Sequence, residues 1–207
     1  EQNMRNTIDL SAFPSLANAV EVQSSVWPEH KATLIRSLET RGQDLMALTE
    51  VVAALVTQIA DAHASGLEEV CKDYRFFCQE MILDAELYFR RNGEYKLSKF
   101  EDAYREVYSN PEIMKQYMNG LLLSTTFWVN HISALQFYVE RFLPQNKENY
   151  DHVEVGPGHG ILLYFAARDD RAGKIMGWDI SPSSVEATNR TLMTMGVEAG
   201  VELECQD

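Results

Sequence analysis

Glu154-Val155-Gly156-Pro157-Gly158-His159-Gly160 is the stretch on which the fold turns. His152 to Val155 reads as a short strand that runs straight into three glycines at alternate positions. Ile161 to Arg168 reads as a helix, Ile175 to Ile180 as a second strand, and Ser181-Pro182 as the cap and first residue of a further helix that closes near Gly196. Val201 to Cys205 alternates as a third strand, with Asp207 directly after it. Strand, helix, strand, helix, strand is the order of a parallel α/β sheet. The expected fold class is therefore α/β: a Rossmann-like sheet of which three strands are visible, preceded by an all-helical N-terminal domain.

A glycine loop between a strand and a helix solves a steric problem. A ligand can approach the backbone closely only where no Cβ stands in the way. The helix that follows turns free amides and its positive dipole end toward the same point. Asp179 ends the second strand about twenty residues on, where a carboxylate can accept from both hydroxyls of a ribose. The bland alternative is a turn that merely needs glycines. The spacing also departs from the dinucleotide fingerprint G-x-G-x-x-G, since the third glycine comes one residue early and acidic Glu154 stands two residues before the first.

That arrangement resembles motif I of the class I S-adenosylmethionine-dependent methyltransferases. The resemblance covers about Tyr150 to Asp207. It implies that Gly156, Pro157, Gly158, His159 and Gly160 pack against the methionine part of S-adenosylmethionine, Pro157 and His159 filling variable positions. It implies too that Glu154 sits near the cofactor's amino group. Asp179, followed by Ile180, matches the family's ribose-binding acid, and Asp207 matches the position that often contacts the adenine amine. The family's sheet normally has about seven strands, so the strand that usually ends in substrate-side residues is not visible here. The expectation is of a truncated or partial chain, or of one continued elsewhere.

The first 147 residues read as a helical lid or dimerisation domain, and 148–207 as the cofactor-binding part. Leu45, Leu48, Val52, Leu55 and Ile59 recur at helical spacing. Ser65 and Gly66 break that helix, and another is expected from Leu67 to Arg91. Asn92-Gly93 marks a turn, with Glu94 to Leu97 as a short extended piece. The stretch Leu87 to Ser98 is also similar to the hairpin of the winged-helix dimerisation domain carried by small-molecule methyltransferases. Ser98 and Glu101 have the form of a capping box for a short helix to about Tyr108. Asn110-Pro111 opens a long helix whose apolar pattern persists from Met114 to Phe142, ended by Pro144.

Within that long helix, Gln116 to Val139 has no formally charged residue. It is long enough to span a bilayer, but its many polar groups make a buried soluble helix the better reading. It reads as a core or dimer-interface helix, or as a substrate wall. On the second reading His131 is a candidate general base, with Asn130 and Tyr117 as further catalytic candidates and Tyr138 on the same argument. On the first, His131 is a satisfied core histidine.

The chain has 207 residues and a formal net charge of -13. So acidic a surface argues against nucleic acid as a partner. Three cysteines without a disulfide framework suggest reduced thiols and a cytoplasmic location. The five histidines show no paired metal-ligand spacing, and no metal is expected. No signal peptide is visible from Glu1 to Val20.

The expected function is methyl transfer to a small molecule, with a homodimer through the helical domain. One alternative keeps the cofactor but cyclises or transfers its aminocarboxypropyl chain and releases methylthioadenosine, as azetidine-2-carboxylate synthases do. Another is a non-catalytic cofactor-binding or dimerising fragment. Nicotinamide binding is a fourth reading.

Overall fold

The computed structural model describes residues 8–63 and 65–206. Its helical part begins with α1 (Pro14–Val26), α2 (Lys31–Glu39) and α3 (Gln43–His63). No side chain of its own N-cap serves α1; the Glu50 carboxylate of α3 accepts from the amides of Ser15 and Leu16, both at 2.9 Å. A negative group there meets both orphan donors and the positive helix end. Helix α3 is long and apolar enough to cross a membrane by length and composition. Its Val52, Ala53, Val56 and Ala60 are fully buried in the shared core.

Ser65 and Gly66 both adopt positive φ and turn the chain into α4 (Leu67–Phe76). A π-helical turn over Phe77–Leu83 leads on into α5 (Asp84–Asn92). The helix expected from Leu67 to Arg91 is therefore one helical run with a widened middle. Gly93 ends it in the left-handed conformation. Residues 94–97 then form a bend and a turn, not a strand, and no hairpin stands at 87–98. Phe89 and Tyr95 stack at 4.7 Å across that turn.

After α6 (Phe100–Ala103) and a π-helical turn over Tyr104–Tyr108, Asn110 caps α7 (Pro111–Phe127). Its Oδ1 accepts from the amides of Glu112 and Ile113 at 3.1 and 3.3 Å, with Pro111 in the first turn. The long helix expected to continue to Phe142 is broken. Trp128 is extended (φ -91°, ψ 121°), and a separate helix, α8 (Val129–Phe137), follows. The break is stabilised from outside the helix. Buried Arg41 donates to the carbonyls of Thr126 and Phe127, both at 2.7 Å, and the Ser37 hydroxyl donates to Phe127 at 3.1 Å. These bonds satisfy carbonyls that the next helical turn would otherwise have used. The Trp128 indole then donates to Tyr74 at 2.9 Å.

A short 3-10 turn (Leu143–Gln145) joins the helices to the sheet. Arg171 pins it by donating to the carbonyls of Leu143, Pro144 and Asn146. The sheet holds β1 (Tyr150–Val155), β2 (Ala172–Asp179) and β3 (Val201–Cys205), all parallel, in the order β1-β2-β3. Helices α9 (Ile161–Ala166) and α10 (Pro182–Thr194) make the crossovers. Ser181 caps α10 as expected, accepting from Ser184 at 3.3 Å. Strand β2 starts three residues earlier than Ile175 and stops at Asp179, one residue before Ile180.

The face of the sheet that carries Ile175 and Gly177 packs under α9; an added Cβ at Gly177 would meet Leu163 at 3.0 Å. The other face leaves Val153 and Val155 40% and 78% exposed, and among the described residues β1 pairs with β2 alone. One apolar core runs through both parts of the chain, from Leu16 to Leu192 and Met195. The architecture is α/β, with helices plus a three-stranded parallel sheet, in an arrangement compatible with a Rossmann-like fold.

Candidate functional site at the glycine loop

The loop from Gly156 to Gly160 leaves the C-terminal end of β1, where ligands bind in parallel α/β sheets. Gly156, Gly158 and Gly160 all have positive φ: 68°, 54° and 76°. The glycines differ in what surrounds them. Nothing stands within 4 Å of a Cβ added to Gly156, so its surroundings are open. A Cβ at Gly160 would lie 3.3 Å from Leu192 and Thr188, so this glycine is needed for the contact with α10. Two hydroxyls of α10 hold the loop from below. Thr188 donates to Gly158 at 2.6 Å and Thr191 to the His159 carbonyl at 2.9 Å. Sequence reading did not pick out these threonines, and their spacing on α10 carried no signal without the loop in view.

Asp179 ends β2 beside the loop, since Val155 pairs with Trp178. Its Oδ1 accepts from the Ser181 amide at 2.9 Å; among the described residues its Oδ2 makes no hydrogen bond. Ile180 follows in the bend between β2 and α10. Asp207 lies outside the described residues.

Glu154 is paired with Gly177 on the covered face of the sheet. Its Oε2 is buried without a hydrogen-bond partner. Burial pushes its carboxyl up to about 8, opposed in part by the Leu163 amide. The carboxyl is thus mostly protonated at neutral pH, an arrangement that the sequence alone does not disclose.

His159 faces the helical part. Its Nδ1 accepts from the Ile161 amide at 3.4 Å and its Nε2 lies 3.5 Å from Thr125 Oγ1. Burial, then the nearby His131, pushes it down to about 4, so the ring is neutral at physiological pH. His131 and His159 line one apolar cavity of about 440 Å³, with Thr125, Tyr138 and Leu135. Burial also lowers the pKa of His131. Tyr138 sits 3.2 Å from His152 Nε2 and donates to the Leu162 carbonyl at 3.3 Å.

The sequence-derived residues therefore divide. Glu154, the loop glycines, Pro157, His159 and Asp179 gather at the strand ends, and α7 and α8 bring His131 beside them. Asn130 is exposed in the first turn of α8. Tyr117 packs edge-on against Phe77 at 5.7 Å. Among the described residues there is no group of three acidic, histidine or cysteine side chains able to hold a metal. Cys71 is buried and Cys78 half-buried, and burial raises both thiols, Cys78 to about 11.

Comparison with protein-family models, with curated proteins and with solved structures finds no match.

Proposed function

We propose that the glycine loop binds S-adenosylmethionine and that the chain serves methyl transfer to a small molecule. The observation that carries this reading is the pairing of Gly156, left-handed and open above its Cα, with Asp179 at the end of the neighbouring strand. Phosphate and nucleoside ligands are held by such a pairing in parallel sheets. The orphaned Oε2 of Glu154 adds a second fit, because a buried polar atom without a partner favours a ligand that supplies one.

The cofactor would supply a methyl group already activated on a sulfonium. The residues do the rest by position. Asp179 Oδ2 accepts from ribose hydroxyls. Glu154, uncharged in the free chain, ionises more readily beside an ammonium group. His131 takes the proton of an acceptor that must lose one. The apolar walls of its cavity exclude water and keep the reacting groups oriented.

Isothermal titration of S-adenosylmethionine and S-adenosylhomocysteine tests this, with Asp179→Ala alongside. Saturable binding is expected, weakened about tenfold or more in the variant, the loss of a hydrogen bond to a charged group. No binding would overturn the proposal. Methylthioadenosine formed without an acceptor, read by mass spectrometry, would replace methyl transfer with cyclisation or aminocarboxypropyl transfer.

A further inference from the structure

A second cavity, of about 310 Å³, also touches His159 but is walled by α3, α7 and α10. Its apolar lining is Ile59, Met114, Met118, Leu122 and Ala187. Its charged lining is Lys115 on α7 and Arg190 on α10, and no Asp or Glu side chain lines it. In a chain with 31 acidic and 18 basic residues, a cavity with two cations and no carboxylate runs against the overall charge. Arg190 is held by Glu186 at 2.8 Å. Among the described residues Lys115 forms no salt bridge, though its charge acts on the Asp73 carboxylate, which accepts from Asn119 of the cavity wall at 2.7 Å.

One residue of the cavity wall carries a buried polar group without a partner. Ser184 is 1% exposed, and its Oγ has no hydrogen bond. It lies in the first turn of α10, a 13-residue helix, where the macrodipole favours negative charge. A buried hydroxyl without a partner costs free energy unless a ligand or water completes it. The loop stands against the same cavity: Met118 Sδ would lie 3.9 Å from a Cβ on Gly158.

We infer that this cavity takes a small molecule with an apolar body and a carboxylate, Lys115 meeting the carboxylate, Ser184 supplying a hydrogen bond and the two methionines packing on the body. The inference deepens the proposed function and rests on it for placing this molecule beside the cofactor. The carboxylate has two sources: a methyl acceptor, or the amino-acid head of the cofactor itself.

The test is methyl NMR of the full chain labelled with ¹³C at methionine methyls, titrated with 4-phenylbutyrate and with its neutral amide. Met114 and Met118 are expected to shift saturably with the carboxylate and about tenfold more weakly with the amide, the loss of one charge-assisted bond. Lys115→Met is expected to abolish that preference, and Ser184→Ala to weaken carboxylate binding with the fold intact. Repeating the titration with S-adenosylhomocysteine at saturation separates the sources. Binding that persists assigns the carboxylate to an acceptor, and displacement assigns it to the cofactor; both keep Lys115 as the anchor. No methionine shift, or equal affinity for acid and amide, would overturn the inference. If S-adenosylhomocysteine still binds in that case, the cofactor reading stands and only the carboxylate cavity falls.

Discussion

Ser124 Oγ lies 2.9 Å from His131 Nδ1, and the direction of that bond decides which nitrogen of the histidine is free. Ser124 has one proton, and it goes to the Leu121 carbonyl at 2.7 Å. The oxygen is left to accept, so Nδ1 carries the hydrogen and Nε2 keeps its lone pair. Because burial lowers the pKa of His131, the ring is neutral at pH 7. Nitrogen-15 chemical shifts of the imidazole are expected to report the Nδ1–H tautomer, and Ser124→Ala to lose it. If His131 is the base of a transfer reaction, His131→Gln lowers the rate by about 10²-fold or more and leaves S-adenosylmethionine affinity unchanged.

Arg41 holds the break between α7 and α8 together. Its guanidinium is buried, pushed down to about 10 by desolvation and still cationic at neutral pH, and it also donates to Thr49 at 3.0 Å. Arg41→Met leaves the Phe127 carbonyl to the Ser37 hydroxyl and takes from the Thr126 carbonyl the donor that Arg41 supplies. The expected loss is about 2–3 kcal/mol, measured as a fall in the urea midpoint at unchanged slope. A variant as stable as the parent would show that α7 ends without this cap.

Gly156 and Gly160 predict different phenotypes. Gly160→Ala places a methyl group 3.3 Å from Leu192 and Thr188 at φ 76°, so it combines crowding with left-handed strain of about 1–2 kcal/mol. Stability is expected to fall. Gly156→Ala carries similar strain but meets no atom within 4 Å. On the proposed function its larger effect falls on the affinity for S-adenosylmethionine, because the new methyl occupies the space a ligand would use. Thermal melting with and without the cofactor separates the two.

Glu154 makes stability depend on pH. Its carboxyl is raised from 4.5 to about 8 in the folded chain. Below about pH 4.5 both folded and unfolded chains hold the proton, and the contribution is fully present. Between there and about pH 8 the unfolded chain binds fewer protons than the folded one, so this contribution declines as pH rises. Urea midpoints for Glu154→Gln are expected to fall less between about pH 5 and pH 8 than those of the parent. Identical pH profiles would place the proton elsewhere.

The signals that survived from sequence to structure are short in range. Ser65-Gly66, Asn110-Pro111 and Ser181-Pro182 mark turns and helix starts because the preferences involved act within one or two peptide units. The glycine loop and Asp179 belong to the same class: backbone freedom and strand ends are local properties. The parallel sheet followed from the alternation of elements, and its three strands lie close to where the pattern put them.

What the sequence by itself determined, then, is the order of elements, the loop between β1 and α9, and the acid at the end of β2. The tertiary structure alone decided where the long helix breaks, because Arg41 caps it from 85 and 86 residues away and periodicity has no view of so distant a donor. It decided which of the helical polar residues meet the loop, bringing His131 to His159 while leaving Asn130 exposed. It also decided the protonation of Glu154, since desolvation depends on everything packed around a group and not on its neighbours in the chain.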